Sequence, residues 1–200
     1  MANANKPMGL SPHSYLNGSE WNGQATMYYI DSGDNNAYAI GDPVAVQGSA
    51  DANGVMRVTL ATAGTGNALC GAIVSTGGIR YGGSLMDPSG LDTTIIPATK
   101  TKSYYILVAD DPHLLFEAQE DGAGAFLAAT DVGSNVNLVS GANNGYVSGW
   151  LLDSNPVATT ATLQCQLMRL VQRADNAMGQ YAKWLVRINN HNFKAGTAGV

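Results

Sequence analysis

Charge is what this chain has least of. Only 12% of its 200 residues are Asp, Glu, Lys or Arg, about half the usual share. Its polar surface must therefore come from amides, hydroxyls and backbone, which fits either a surface covered in part by neighbouring subunits or an ordinary Gly- and Asn-rich β-protein. The scarcity does not signal disorder, because the net charge is only −5 and apolar segments recur at regular spacing. No run of Lys or Arg occurs in this acidic chain, which argues against a nucleic-acid partner. No apolar run approaches the roughly 20 residues that cross a bilayer as a helix, so no membrane partner is expected.

Cysteine is nearly absent. Cys70 and Cys165 are the only two, too few for a disulfide framework. Both sit in apolar, strand-like runs, where most cysteines are buried free thiols; a single bridge between them stays open. His13, His113 and His191 have no ligand neighbour at zinc spacing. Gly-x-Ser-x-Gly, Walker and EF-hand patterns are also missing. No catalytic, metal-binding or cofactor-binding residue is therefore expected. The opening Met-Ala-Asn-Ala-Asn-Lys-Pro lacks the apolar core of a signal peptide, so synthesis in a cytoplasm is expected.

What the chain does have is strands. Ser103–Ala109 is aromatic and β-branched, which suits a pleated, half-buried surface. Asp110-Asp111-Pro112 is a turn, and Leu114–Gln119 alternates as a strand with one wet face. This stretch predicts an antiparallel hairpin central to a sheet. Residues 24–30, 38–40, 44–47, 55–60 and 69–75 read as further strands, as do 135–139, 146–152, 161–171 (the longest) and 182–189. In the last, Trp184, Val186 and Ile188 face inward and Lys183 and Arg187 outward. Asn53-Gly54 and Asn144-Gly145 predict hairpins, the first with a type I′ turn. Residues 126–132 have room for one helical turn, and Ile95-Ile96 for a short edge strand.

Nine or ten short strands with Gly, Asn and Pro turns and no long helix predict an all-β sandwich or barrel, jelly-roll-like or related. Residues 1–23 read as an extended N-terminal arm anchored by Tyr15 and Trp21, either on this domain's own core or on a neighbouring subunit. Residues 24–190 form a single β domain, with a long loop at 76–102 of the kind that is functional or docked on a partner. Residues 191–200 are a C-terminal tail.

Charge is unevenly placed. Residues 1–150 hold five Lys/Arg against thirteen Asp/Glu, a net of −8, and residues 151–200 hold five against two, a net of +3. The basic quarter contains Arg169, Arg173, Lys183 and Arg187, which form either a solvated face or a surface for an acidic partner. Asp110, Asp111, Glu117, Glu120 and Asp121 make an acidic cluster beside His113. It reads first as a solvated hairpin tip and second as a calcium or acid/base site. Tyr28, Tyr29, Tyr81 and Trp150 read as packing residues, or as sugar-stacking residues of a glycan-binding module.

Several strings resemble virion structural proteins of tailed bacteriophages. They are Ile106–Asp121, Ser134–Val139, Ser148-Gly-Trp150 followed by Leu152-Asp153, Ala182–Asn189, and the opening residues with Tyr15 and Trp21-Asn-Gly. The resemblance best implies a head decoration, or cement, protein. Such proteins are β-rich, assemble as homodimers or homotrimers, and sit on the outer capsid surface over joints between major capsid subunits. Tail or head–tail components are the nearest alternative. On this reading, contacts to the major capsid protein or to other copies fall on Tyr15, Trp21, Ile79, Tyr81, Leu85, Arg169, Arg173, Lys183 and Arg187.

Overall fold

The computed structural model describes residues 3–77 and 94–199, with the backbone alone of 80–81 and 84–85. The chain is all-β. Its first strands are β1 (Ser11–Tyr15), β2 (Thr26–Ile30), β3 (Tyr38–Ala39), β4 (Pro43–Ala50) and β5 (Met56–Leu60). There follow β6 (Gly71–Ser75), β7 (Arg80–Tyr81), β8 (Ser84–Leu85), β9 (Ile95–Ile96), β10 (Tyr104–Ala109) and β11 (Leu114–Gln119). The last are β12 (Asn135–Val139), β13 (Leu151–Ala158), β14 (Cys165–Leu170) and β15 (Lys183–Ile188). One 3-10 turn, Ala129–Asp131, falls where a helical turn is expected.

Two assemblies result. Strands β10-β2-β5-β4-β6 close into a barrel, and β1-β11-β15-β14-β12-β13 form an open antiparallel sheet. Tyr28, Ile30, Val44, Val58, Ile73, Ile106 and Val108 fill one core, to which β3 and β9 add Tyr38 and Ile96. The second core lies between the sheet and the barrel wall. Phe116, Leu138, Leu152, Leu167, Trp184 and Val186 come from the sheet, and Leu69, Ala72 and Ala109 from the barrel side.

The expected 103–120 hairpin does not form. β10 pairs with β2 and β6, whereas β11 pairs with β1 and β15. The acidic turn is instead the corner that carries the chain from barrel to sheet. Asp110 reaches back to the barrel, accepting from Thr26 Oγ1 at 3.0 Å and Tyr28 Oη at 2.7 Å. Asp111 closes the corner by accepting from His113 N at 2.7 Å. Nor does β11 have a wet face, since all six of its residues are buried. Asn5 and Lys6 cover the Gln119 end of its second face: Gln119 Nε2 donates to Asn5 Oδ1 and Gln119 Oε1 accepts from Lys6 N, both at 2.8 Å.

The first Asn-Gly hairpin forms, with Ala50 opposite Met56, but the turn is not type I′. Gly54 has φ +79° and Asn53 does not take positive φ, while Asp51 Oδ1 accepts from the amides of Asn53 and Val55. An Asp before the Asn-Gly thus recruits a longer loop. β12 and β13 also pair, with Val139 opposite Leu151. They are joined by an eleven-residue loop, residues 140–150, rather than a tight turn. Its neck is pinched at Gly149, where a Cβ would lie 2.0 Å from Ala142 O.

β14 is shorter than expected, and β4 and β13, at eight residues each, are the longest strands. Residues 161–164 form a turn instead, closed by Leu163 N donating to Thr160 O at 3.2 Å.

The N-terminal segment is not a free arm. β1 is the sheet edge, Leu10 is fully buried, and Tyr15 and Trp21 pack against this domain's own second core. Both open edges of the sheet carry a proline, Pro12 in β1 and Pro156 in β13, which removes a donor where another strand would add. The tail is docked. Thr197 N donates to Asn189 Oδ1 at 3.0 Å, and His191 is buried in a bridge to Leu69.

Cys70 and Cys165 are free and buried. Burial pushes each thiol up to about 12, which leaves almost no thiolate, the reactive form, at mildly alkaline pH. Iodoacetamide is therefore expected to leave both unmodified in the native protein and to alkylate both in urea. Mass spectrometry reads this directly, and fast native labelling of either thiol would contradict its burial.

Candidate functional site

Four of the five basic residues of the C-terminal quarter, Arg169, Arg173, Lys183 and Arg187, lie on or beside the face of the open sheet turned away from the barrel. On β15, Lys183, Leu185 and Arg187 are opposite Gln119, Glu117 and Leu115 of β11, so the period of two puts them on one side. Arg169 joins them only because of a β-bulge. Leu167 is opposite Val186 and Arg169 opposite Leu185, so Met168 is an extra residue on β14. Without it, alternation from Cys165 and Leu167 would point the Arg169 guanidinium into the core. With it, Arg169 turns outward and Leu170 returns to the core opposite Trp184.

A second bulge sits in β1. Pro12 is opposite Phe116 and Ser14 opposite Leu115, so His13 is the extra residue. The shift brings Tyr15 to the core side, opposite Leu114. His13 is exposed and its Nδ1 lies 3.1 Å from Ser14 Oγ.

His13 and Arg169 then line two adjoining concavities. One, of about 290 Å³, is completed by Glu117, Val171, Gln172, Arg173 and Leu185. The other, of about 420 Å³, includes Tyr15, Leu16, Leu115 and Met168. The groove has an apolar floor in Leu115, Val171 and Leu185, all buried. Arg173 covers Glu117, its Nη1 2.9 Å from the carboxylate, and its Nε lies 3.0 Å from Asp175 Oδ1. Burial works against the Arg173 charge, but the Asp175 and Glu117 carboxylates together outweigh it and hold the guanidinium above its ordinary value. Asn176 positions the loop: its Nδ2 donates to Val171 O and Lys183 O, and its Oδ1 accepts from Lys183 N, all at 2.9 Å.

The cations differ in how far they are spent. Arg173 is ion-paired. Arg187 donates to Gln166 Oε1 at 2.9 Å and Thr197 Oγ1 at 2.8 Å, neither a carboxylate. Among the described residues, Arg169 and Lys183 have no carboxylate within ion-pair distance. This leaves unneutralised positive charge on one face of an acidic protein.

The other sequence candidates scatter. Asp110 binds the barrel, Glu117 faces Arg173, and Glu120 is buried, accepting from Leu127 N at 2.9 Å. The acidic stretch is therefore not one cluster. Among the described residues, no group of three or more His, Cys, Asp or Glu is placed to hold a metal ion. Ser14 has His13 beside it, but no carboxylate orients His13 among the described residues. Tyr28 and Trp150 are buried, and Tyr29 is half-buried against Tyr105, with ring centroids 5.8 Å apart.

Tyr15 and Trp21 are committed to internal packing, although Tyr15 also borders the groove. Tyr81 and Leu85 lie on the short β7–β8 ladder, with Tyr81 opposite Ser84 and Arg80 opposite Leu85; their side chains lie outside the described residues, as does Ile79. His13 and Gln172 are groove residues that the sequence reading missed. The signal for the groove was present in Leu167-Met-Arg-Leu170, where two successive residues break the alternation.

Barrel and sheet together define an all-β protein with one cation-rich concave face. No protein family, curated protein or solved structure matches this chain.

Proposed function

We propose that the chain is a virion component that decorates a bacteriophage head, binding the outer surface of the shell and bridging major capsid subunits. The observation that supports this reading most is the sheet face bearing Arg169, Arg173, Lys183 and Arg187, an interaction surface with charge left over. The strings that resemble phage virion proteins supply the setting. A bridge of this kind gains from multivalency: once one contact is made, the next forms at high effective concentration, so individually modest contacts hold the shell.

Gold-tagged antibody against this chain, applied to intact particles from a producing culture, tests the proposal by electron microscopy. Label spread over heads is the expected result. Label confined to tails would replace the reading with a tail or head–tail component, and unlabelled particles would remove the virion altogether.

A further inference from the structure

The geometry points to the groove between β1 and β14 as a docking site for an extended acidic polypeptide segment with apolar residues alternating among its carboxylates. This specifies the partner chemistry of the face described above and rests on that reading for its biological setting.

Three independent features converge on the groove. The first is charge. Arg169 is exposed, lines both concavities and lacks a carboxylate within ion-pair distance among the described residues, while Glu117 is already paired with Arg173 and the other lining carboxylate, Glu20, is exposed at the outer wall. An incoming carboxylate therefore meets one guanidinium, Arg169, that has no ion-pair partner among the described residues.

The second is the pair of bulges. β1 and β14 stand three strand spacings apart, about 14 Å. Each inserts one residue, on opposite sides of the Phe116–Val186 pair, and His13 and Arg169, one at each bulge, are the two residues shared by both concavities. Bulges bend a strand and redirect side chains, and are over-represented beside functional sites. Here the β14 bulge carries a guanidinium across the sheet to the groove.

The third is the floor. Leu115, Leu185 and Val171 are buried but reach the bottom of the concavities, and Met168 and Leu16 border them. A purely electrostatic site has no use for such a floor. A strand-like ligand does, because its side chains alternate: one set lies on the apolar floor while the other reaches the cationic rim. The two concavities adjoin, so the track is longer than a single side chain.

The probe is a fluorescent octapeptide of alternating Glu and Val, with a Lys/Val octapeptide as its opposite, followed by fluorescence anisotropy. The Glu/Val peptide is expected to bind in the micromolar to submillimolar range and to weaken with added salt. Arg169→Glu should weaken it at least tenfold and Arg169→Gln severalfold. Lys194→Glu, the same charge change in the docked tail away from the groove, should stay within twofold. The Lys/Val peptide should not bind. Thermal melts identify any variant that fails to fold, and Arg169→Gln carries the test if Arg169→Glu does. No binding of the Glu/Val peptide at millimolar concentration overturns the inference. So does equal weakening by Arg169→Glu and Lys194→Glu, which would mean diffuse attraction rather than a site. Peptide binding with no gold label on heads would retain the groove and reject the virion setting.

Discussion

Replacing Gln164 with leucine is expected to lower the free energy of unfolding by about 4 kcal/mol, from four backbone groups each worth about 1 kcal/mol once orphaned. The Gln164 side chain is fully buried. Its Oε1 accepts from Gly64 N at 3.0 Å and Leu138 N at 3.1 Å, and its Nε2 donates to Thr62 O at 2.9 Å and Asn67 O at 3.1 Å. One amide therefore ties the 61–67 loop to the sheet and replaces ladder bonds that this loop cannot make. Leucine matches the volume and leaves all four groups without this partner, Leu138 N in a fully buried position and the other three partly so. For a chain of this length the melting temperature should fall by about 12 °C. Gln47→Ala, on half-buried β4, should stay within about 0.5 kcal/mol. Urea denaturation of both variants decides it, and a loss below about 1 kcal/mol for Gln164→Leu would mean that the loop finds other partners.

Gln164 also explains the composition. The low charge suggested a surface of amides. Many of those amides are inside: Gln119, Asn135, Asn137, Gln164 and Asn189 are all buried. Asn189 donates to Ala161 O and Leu163 O while accepting from Thr197, and Asn135 donates to Thr160 O and Thr197 O. A fold with long loops has many backbone groups outside any ladder, and side-chain amides satisfy them without burying charge.

The all-β class and most strand positions were legible because alternation and turn residues are local signals. β12 runs over the predicted 135–139, and β15 keeps Trp184, Val186 and Ile188 in the core. Strand partners were not legible. Ser103–Gln119 has every local mark of a hairpin, yet its two halves belong to different assemblies. The deciding interactions are non-local: Asp110 on Thr26 and Tyr28, and β15 beside β11. The site was half legible. Its cations were visible as an excess in the last quarter, but their convergence depends on two bulges that a strict period of two excludes. Tyr15 and Trp21 pack on the domain's own core, one of the two anchor points the sequence left open.

Lys100→Met is expected to cost about 3 kcal/mol or more, the range for removing one partner of a buried ion pair. The Lys100 side chain is fully buried. Its Nζ donates to Asp34 O and Asn36 O, both at 2.6 Å, lies 3.7 Å from Asp34 Oδ1, and sits over the Tyr38 ring at 5.1 Å. Asp34 in turn accepts from Thr59 Oγ1 and Asn36 N, both at 2.8 Å. The pair ties Lys100 to the 34–36 loop beside the barrel, so its loss should destabilise the domain. Burial raises the Asp34 carboxyl, but hydrogen bonds from Asn36, Tyr38 and Thr59 and the Lys100 charge outweigh it, and the net shift is downward. A carboxyl lowered in the folded state stabilises above its unfolded value, and that share is lost as pH falls through the folded value. Wild-type stability should therefore decline in acid below about pH 4, and Asp34→Asn should lose that part of the decline. The double variant Asp34→Asn/Lys100→Met removes both charges and should recover part of the Lys100→Met loss. If the double variant is as unstable as the two single losses summed, the cost lies in packing rather than in an uncompensated charge.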